Sequence, residues 1–248
     1  LTGWNGLMIA AFACLYRVTG QVIYREAAEA AWSYLFRVHW DGKTLFASSF
    51  SDQVGAPGFL DDYAFSIWGL LSLYEATLQP EYLDQAQALC YKVLSDFSDD
   101  AHGGFYLTAQ DSETLLIRPK ELADSALPSG NTAMAYVLVR LSQLTGKEDW
   151  TIQANRQLTA LAPHAGRYPT AYPVYLLARL AWEYPPEEVT IAAANPAAIP
   201  KLPWPFPLDA VVKVLAPPPD SHPLLHGKTT CYICKDHTCL PPKVMEHL

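Results

Sequence analysis

The sequence is short of charge. Lys, Arg, Asp and Glu make up 17% of its 248 residues, against roughly a quarter in an average globular chain. Basic residues are the scarcer kind, 17 against 25 acidic, for a net charge of −8. That leaves no basic patch to neutralise phosphates, so nucleic acid is not an expected partner. The same balance disfavours an anionic membrane surface. No apolar run reaches the ~20 residues a membrane span needs, and the longest, from Leu7 to Leu15, has the length of a buried helix segment. No glycine-rich loop follows a strand, so there is no nucleotide signature and no cofactor is expected. No charged n-region precedes an apolar stretch at the start, so no signal peptide is read. The chain opens on Leu1 in the middle of a motif, and is expected to be part of something longer.

Cysteines are few and unevenly spread. Five of them do not form a disulfide framework, which favours a reducing, cytoplasmic compartment. Cys14 and Cys90 sit on apolar helical faces and read as core filling. Cys231, Cys234 and Cys239 cluster near the end around His237. A zinc reading lacks the usual second, distant ligand pair. A redox reading lacks a helix for Cys231 or Cys234 to cap, because Cys239-Leu-Pro-Pro follows closely. Packing, or a local disulfide between Cys234 and Cys239, is the plainer expectation, and no metal site is assigned. His39, His102, His164, His222, His226 and His247 have no ligand spacing and read as surface or loop residues.

What the sequence does have is apolar surface, half of its residues, arranged in a repeat. Residues 16–24, 74–82 and 142–150 align so that Thr19, Thr77 and Thr145 fall in register, followed by Tyr24, Tyr82 and Trp150, then Ala28, Ala86 and Ala154. Each segment reads as a helix end, a short turn and a new helix start, with Gly20 and Gly146 suited to the left-handed residue that ends a helix. The first helix of each pair (Leu7 to Val18, Ala64 to Ala76, Ala133 to Leu144) is apolar nearly all round, which predicts burial on all sides. The second helix carries a one-sided stripe, such as Tyr24, Ala27, Ala28, Ala31, Trp32 and Leu35. Buried helices alternating with half-exposed ones imply two layers, an inner ring within an outer one. A fourth inner-type helix, Tyr172 to Trp182, ends at Pro185-Pro186. The expected fold is therefore mainly α, an α/α toroid with about seven helices, incomplete here, spanning residues 1–186. Residues 187–248 read as a small β-containing appendage, with strands over Val189 to Ala194 and Ala210 to Leu215. Thr44 to Phe50 and Gly104 to Thr108 also read as β-like.

The segments before the inner helices carry the chemistry. They present Trp4 and Asn5, then Asp61, Asp62 and Tyr63, then Asp124, Ser129 and Asn131. Parallel inner helices bring all of these to one end of the ring. Paired carboxylates supply an acid and a base for glycosidic cleavage. The expected roles are Asp61, Asp62 and Asp124 as catalytic carboxylates, Trp4 and Tyr63 stacked on a sugar ring, and Asn5, Ser129 and Asn131 as substrate-binding polar groups. The competing reading makes Asp61, Asp124 and Ser129 helix N-caps.

Leu1-Thr-Gly-Trp-Asn-Gly-Leu-Met-Ile, Gly58-Phe-Leu-Asp-Asp-Tyr-Ala-Phe, Leu71 to Thr77, Pro128-Ser-Gly-Asn131 and Thr238-Cys-Leu-Pro-Pro, in that order, resemble the YyaL family of thioredoxin-domain-containing proteins. That family includes the spermatogenesis-associated thioredoxin-like proteins of animals. The resemblance implies a six-hairpin, glycosidase-like toroid preceded by a thioredoxin-like domain, which would act as a partner within the same parent chain. It implies a glycoside hydrolase or sugar epimerase type of site taking a sugar-like small molecule. A non-catalytic module serving the thioredoxin-like domain is the alternative. Cys234 and Cys239 match the family's closing motif, whereas Cys231 has no counterpart in it.

Overall fold

The computed structural model describes every residue except 52, 113–116, 196–198, 200–205, 236–237 and 246–248. Seven α-helices come first: α1 (Thr2–Thr19), α2 (Val22–Val38), α3 (Leu60–Thr77), α4 (Pro80–Phe97), α5 (Gly130–Thr145), α6 (Glu148–Arg167) and α7 (Pro173–Glu183). A two-residue ribbon, β1 (Ser49–Phe50) with β2 (Gln53–Val54), lies between α2 and α3. The odd-numbered helices pack side by side as an inner row in the order α1, α3, α5, α7, and the even-numbered ones lie against them as an outer layer.

The repeat has a physical basis that recurs three times. Thr19, Thr77 and Thr145 each end an inner helix by donating Oγ1–H to the carbonyl four residues back, on Leu15, Leu73 and Leu141, at 2.7 Å. Each hydroxyl then accepts the amide two residues on, from Gln21, Gln79 and Lys147. The intervening residue is left-handed in every case: Gly20 at φ 68°, Leu78 at φ 55° and Gly146 at φ 65°. Thus Leu78 adopts at the second corner what glycine does at the other two. The next helix then sets its alanine, two turns in, against the inner row, and Ala28, Ala86 and Ala154 are fully buried.

Helices α3 and α5 are buried nearly all round, as expected. Helix α1 is not: Trp4, Met8, Leu15 and Val18 are exposed. Its packed side lies against α3. There the two backbones nearly touch, since a Cβ on Gly6 would lie 2.6 Å from the Phe65 carbonyl carbon and one on Gly69 would lie 2.8 Å from the Gly6 oxygen.

After α7 the chain forms a second sheet. Strands β3 (Glu188–Ala192) and β4 (Val211–Leu215) pair in parallel, and β5 (Thr230–Lys235) pairs antiparallel to β3 on its other edge. Short strands β6 (Thr238–Cys239) and β7 (Lys243–Val244) both pair with β5. The two strands expected from sequence are β3 and β4. The central partner, β5, runs through the cysteine cluster and was not anticipated. Val189, Ile191, Val211 and Cys231 join the same apolar core as the helices, and the Tyr74 hydroxyl of α3 donates to the Val212 carbonyl at 3.4 Å. No described helix is long and apolar enough to cross a membrane.

Candidate functional site

The N-termini of the four inner helices are brought to one end of the row, and side chains tie them together. Asp62 sits in the first turn of α3. Its Oδ2 accepts the Phe59 amide at 2.9 Å, and its Oδ1 accepts the Gly3 amide of α1, also at 2.9 Å. Burial raises this carboxyl above the ordinary carboxylate range, and those two amides pull it back. Asp124 joins the next pair of helices. Its Oδ1 accepts from the Ser129 amide at 2.9 Å and from the Thr132 hydroxyl, while its Oδ2 accepts from the Val174 amide in the first turn of α7 at 3.0 Å. Ser129 is the N-cap of α5, accepting the Thr132 amide at 3.1 Å.

Asn131 is fully buried. Its amide holds the loop before α5 by accepting from the Phe105 N–H (2.8 Å) and donating to the carbonyls of Phe105 and Glu121 (2.9 Å each). Tyr63 lies in the core against Phe97, at 5.2 Å between ring centres, with its hydroxyl accepting the Leu45 amide at 2.9 Å. Burial pushes that phenol up to about 12. Trp4 is 63% exposed, and Asn5 donates to its own helix's Leu1 carbonyl. The structure therefore gathers Asp61, Asp62, Asp124, Ser129 and Asn131 at one end. It holds Tyr63 in the core behind them and leaves Trp4 and Asn5 on the exposed side of α1.

Asp61 differs from the other two carboxylates. It faces Gly130, where a Cβ would come within 2.4 Å of its Oδ1, and that oxygen is buried without a hydrogen-bond partner among the described residues. Burial pushes the carboxyl up to about 6, opposed by the Gly130 backbone and reinforced by Glu121 and Asp62.

A cavity of about 460 Å³ opens farther along the same helices. Its walls are Leu7, Ala10, Ala11, Cys14 and Arg17 of α1, Trp68, Ser72 and Glu75 of α3, Tyr136 of α5, and Leu208 with Asp209 from the segment before β4. Trp68 and Tyr136 meet at 4.6 Å between ring centres. Behind them is an ion cluster. Glu75 Oε2 accepts from Arg17 Nη1 at 2.9 Å, and Glu75 Oε1 accepts from Arg140 Nη2 at 2.6 Å and Nε at 3.2 Å. Arg140 spends its remaining donors on Gln143 and on the carbonyls of Asp209 and Ala210. Burial also raises the Tyr136 phenol, with Glu75 adding to the shift. None of these residues was among the sequence candidates. Their signal was available: Arg17 and Arg140 are the only Lys, Arg, Asp or Glu residues of α1 and α5, and a lone charge in an apolar helix needs a partner.

The cysteines are settled by β-pairing. Cys234 and Cys239 stand opposite each other across β5 and β6 and form a disulfide. Cys231, an odd number of residues away, faces the core, where burial pushes its thiol up to about 11. His237 lies outside the described residues, and among those described no three His, Cys, Asp or Glu side chains are placed to hold a metal. Cys14 is an exposed thiol on the cavity wall rather than core filling; Cys90 is buried as expected. His39, expected at the surface, is 2% exposed, with Thr2 Oγ1 at 2.6 Å from Nδ1 and Ser49 Oγ at 2.8 Å from Nε2. It closes the end of α2 against the start of α1.

No family model matches the chain. Curated relatives do. Spermatogenesis-associated protein 20 of Rattus norvegicus is 34% identical over 208 residues, 77% of this chain and 26% of the relative. The Homo sapiens protein of the same name is 31% identical over 208 residues, 79% of this chain and 26% of the relative. The chain thus spans about a quarter of the length of these relatives. Among solved structures, a family 76 glycoside hydrolase (mannosidase) from Bacteroides thetaiotaomicron superposes with a TM-score of 0.53 at 18% identity, covering 64% of this chain and 42% of that one. Cellobiose 2-epimerase from Bacillus thermoamylovorans gives 0.51 at 16% identity, covering 62% and 42%. The chain belongs to the family of spermatogenesis-associated protein 20, and its helices fold as part of an α/α toroid like that of the glycoside hydrolase and the epimerase.

Proposed function

We propose that the cavity along the inner helices binds a sugar-like small molecule. The observation that carries this reading is the cavity itself: an aromatic pair, Trp68 and Tyr136, beside a buried cluster of Arg17, Glu75 and Arg140, around about 460 Å³. That volume lies within the usual range for small-ligand sites, and an apolar wall with a few convergent polar groups is their usual make-up. An aromatic face takes the C–H side of a pyranose, and guanidinium and carboxylate groups bond its hydroxyls. The toroid fold, shared with a glycoside hydrolase and a sugar epimerase, is consistent with this use but does not by itself assign it.

If the site is also catalytic, Asp61, which does not line the cavity, is the sequence candidate with an oxygen to spare, and it would act on a ligand long enough to reach it along α3. Seven residues separate it from Trp68, two turns along one face of α3, or about 10 Å. A carboxyl raised by burial suits a general acid. Asp62 and Asp124 then serve as positioning groups, since both oxygens of each accept hydrogen bonds. The same engagement of Asp62 and Asp124 favours the second reading, a binding module without catalysis that serves a thioredoxin-like domain in a cytoplasmic parent protein.

The test is ligand binding by the protein, read as thermal stabilisation and tryptophan fluorescence against glucose, mannose, N-acetylglucosamine and cellobiose. A stabilising sugar is expected. Trp68→Ala should abolish the effect and Trp4→Ala should leave it intact. No effect from any sugar, or equal loss in both variants, would sink the reading. Chromatography of the binding sugar after long incubation, with Asp61→Asn beside the unaltered protein, separates turnover from binding alone.

A further inference from the structure

The ion cluster on the cavity wall is not self-contained, and the group left over is Arg17. Glu75 has both oxygens engaged, and Arg140 has all its nitrogens engaged. Arg17 gives one N–H, from Nη1, to Glu75; the rest of its guanidinium has no hydrogen-bond partner among the described residues. Yet its side chain is only 10% exposed, and it lines the cavity. Within the cluster two positive groups face one negative one. The other charge on the wall, Asp209, belongs to an exposed residue and adds its charge to that facing Arg140, not Arg17.

From this, and resting on the sugar reading above, we propose that the ligand of this cavity carries a carboxylate and that Arg17 receives it. A guanidinium fork offers two parallel N–H donors that match a carboxylate's two oxygens. Such a charge-assisted pair is worth more than bonds to neutral hydroxyls. A single negative charge meets the open face of Arg17, whereas a phosphate dianion would bring a second charge beside Glu75 and Asp209. The ligand class is therefore a sugar acid, its ring on Trp68 and its carboxylate on Arg17.

The decisive comparison varies the ligand, so it needs no altered protein. Calorimetric titration with glucuronate, its neutral analogue glucuronamide, glucose and glucose 6-phosphate should show glucuronate binding at least about tenfold more tightly than glucuronamide. In Arg17→Gln that preference should vanish while the neutral sugars keep their affinity. Arg17→Lys, which keeps the charge and loses the fork, should fall between. If glucuronate and glucuronamide bind alike, or the preference survives Arg17→Gln, the carboxylate assignment is wrong and the sugar reading stands. If glucose 6-phosphate binds more tightly than glucuronate, the anion is a phosphate and this proposal is overturned. If none of the four binds, the sugar reading fails and takes this one with it.

Discussion

The two ends of the inner helices use the same residue types in opposite ways. At the N-terminal end, Asp62 and Asp124 hold backbone amides of neighbouring helices. Their charge is met by the helix starts themselves, where unpaired N–H groups and the macrodipole favour an anion. Toward the C-terminal ends of the same helices no free amides are available, so Glu75 is met by side chains, Arg17 and Arg140. Backbone amides are fixed in place and fully used; a guanidinium brings more donors than one carboxylate can take. The first end is consequently a closed scaffold, and the second keeps binding capacity open to a cavity. A row of carboxylates before successive helices thus says more about how the helices are joined than about where a ligand sits.

Three substitutions test that contrast. The largest effect is expected from Glu75→Ala, which strands Arg140 as a buried charge without its partner; chemical denaturation should show a loss of about 4 kcal/mol. Replacing both groups, with Glu75→Leu and Arg140→Met together, should recover much of it. If Glu75→Ala alone is nearly neutral, the cluster is solvated and Arg140 does not depend on Glu75. Next is Asn131→Ala at the scaffold end. It leaves the Phe105 amide and the carbonyls of Phe105 and Glu121 without their present partner, for a loss of about 3 kcal/mol in the same measurement. Sugar binding by whatever remains folded should be unchanged, because Asn131 does not line the cavity.

The smallest effect runs the other way. Asp61 has an ordinary value of 3.8 when unfolded and about 6 when folded. The folded state therefore holds its proton more tightly, and stability falls as pH rises from about 4 to about 6, with the full cost present above that. Asp61→Asn removes that cost. Above pH 6 it should gain on the order of 2 kcal/mol, and the slope of stability between pH 4 and 6 should flatten. An unchanged slope would mean that Asp61 is solvated, and would remove it as a candidate acid.

Much of the fold was legible in the sequence because its signals are local. The three Thr-centred corners, the alanine two turns into each outer helix and the change at Pro185-Pro186 are short patterns, and the corners' hydrogen bonds close within a few residues. The gathering of Asp61, Asp62 and Asp124 at one end followed from parallel inner helices alone. Strand β5 was missed because its ladder partners are residues 188–192, some forty positions away, and its own pattern was obscured by the cysteines. The all-round apolar pattern of α1 is not matched by burial within these residues, because burial of an apolar face depends on the neighbour it receives.

By itself, then, the sequence determined the hairpin repeat, the two layers and the end at which the helix starts meet. Only the tertiary structure decided what each carboxylate does there. Whether an aspartate caps, catalyses or pairs depends on which donors lie within about 3 Å, and those come from other helices: Gly3 for Asp62 and Val174 for Asp124, while Asp61 Oδ1 has none among the described residues. The same holds for Arg17, Glu75 and Arg140, three charges from three helices that become one cluster only when α1, α3 and α5 lie side by side.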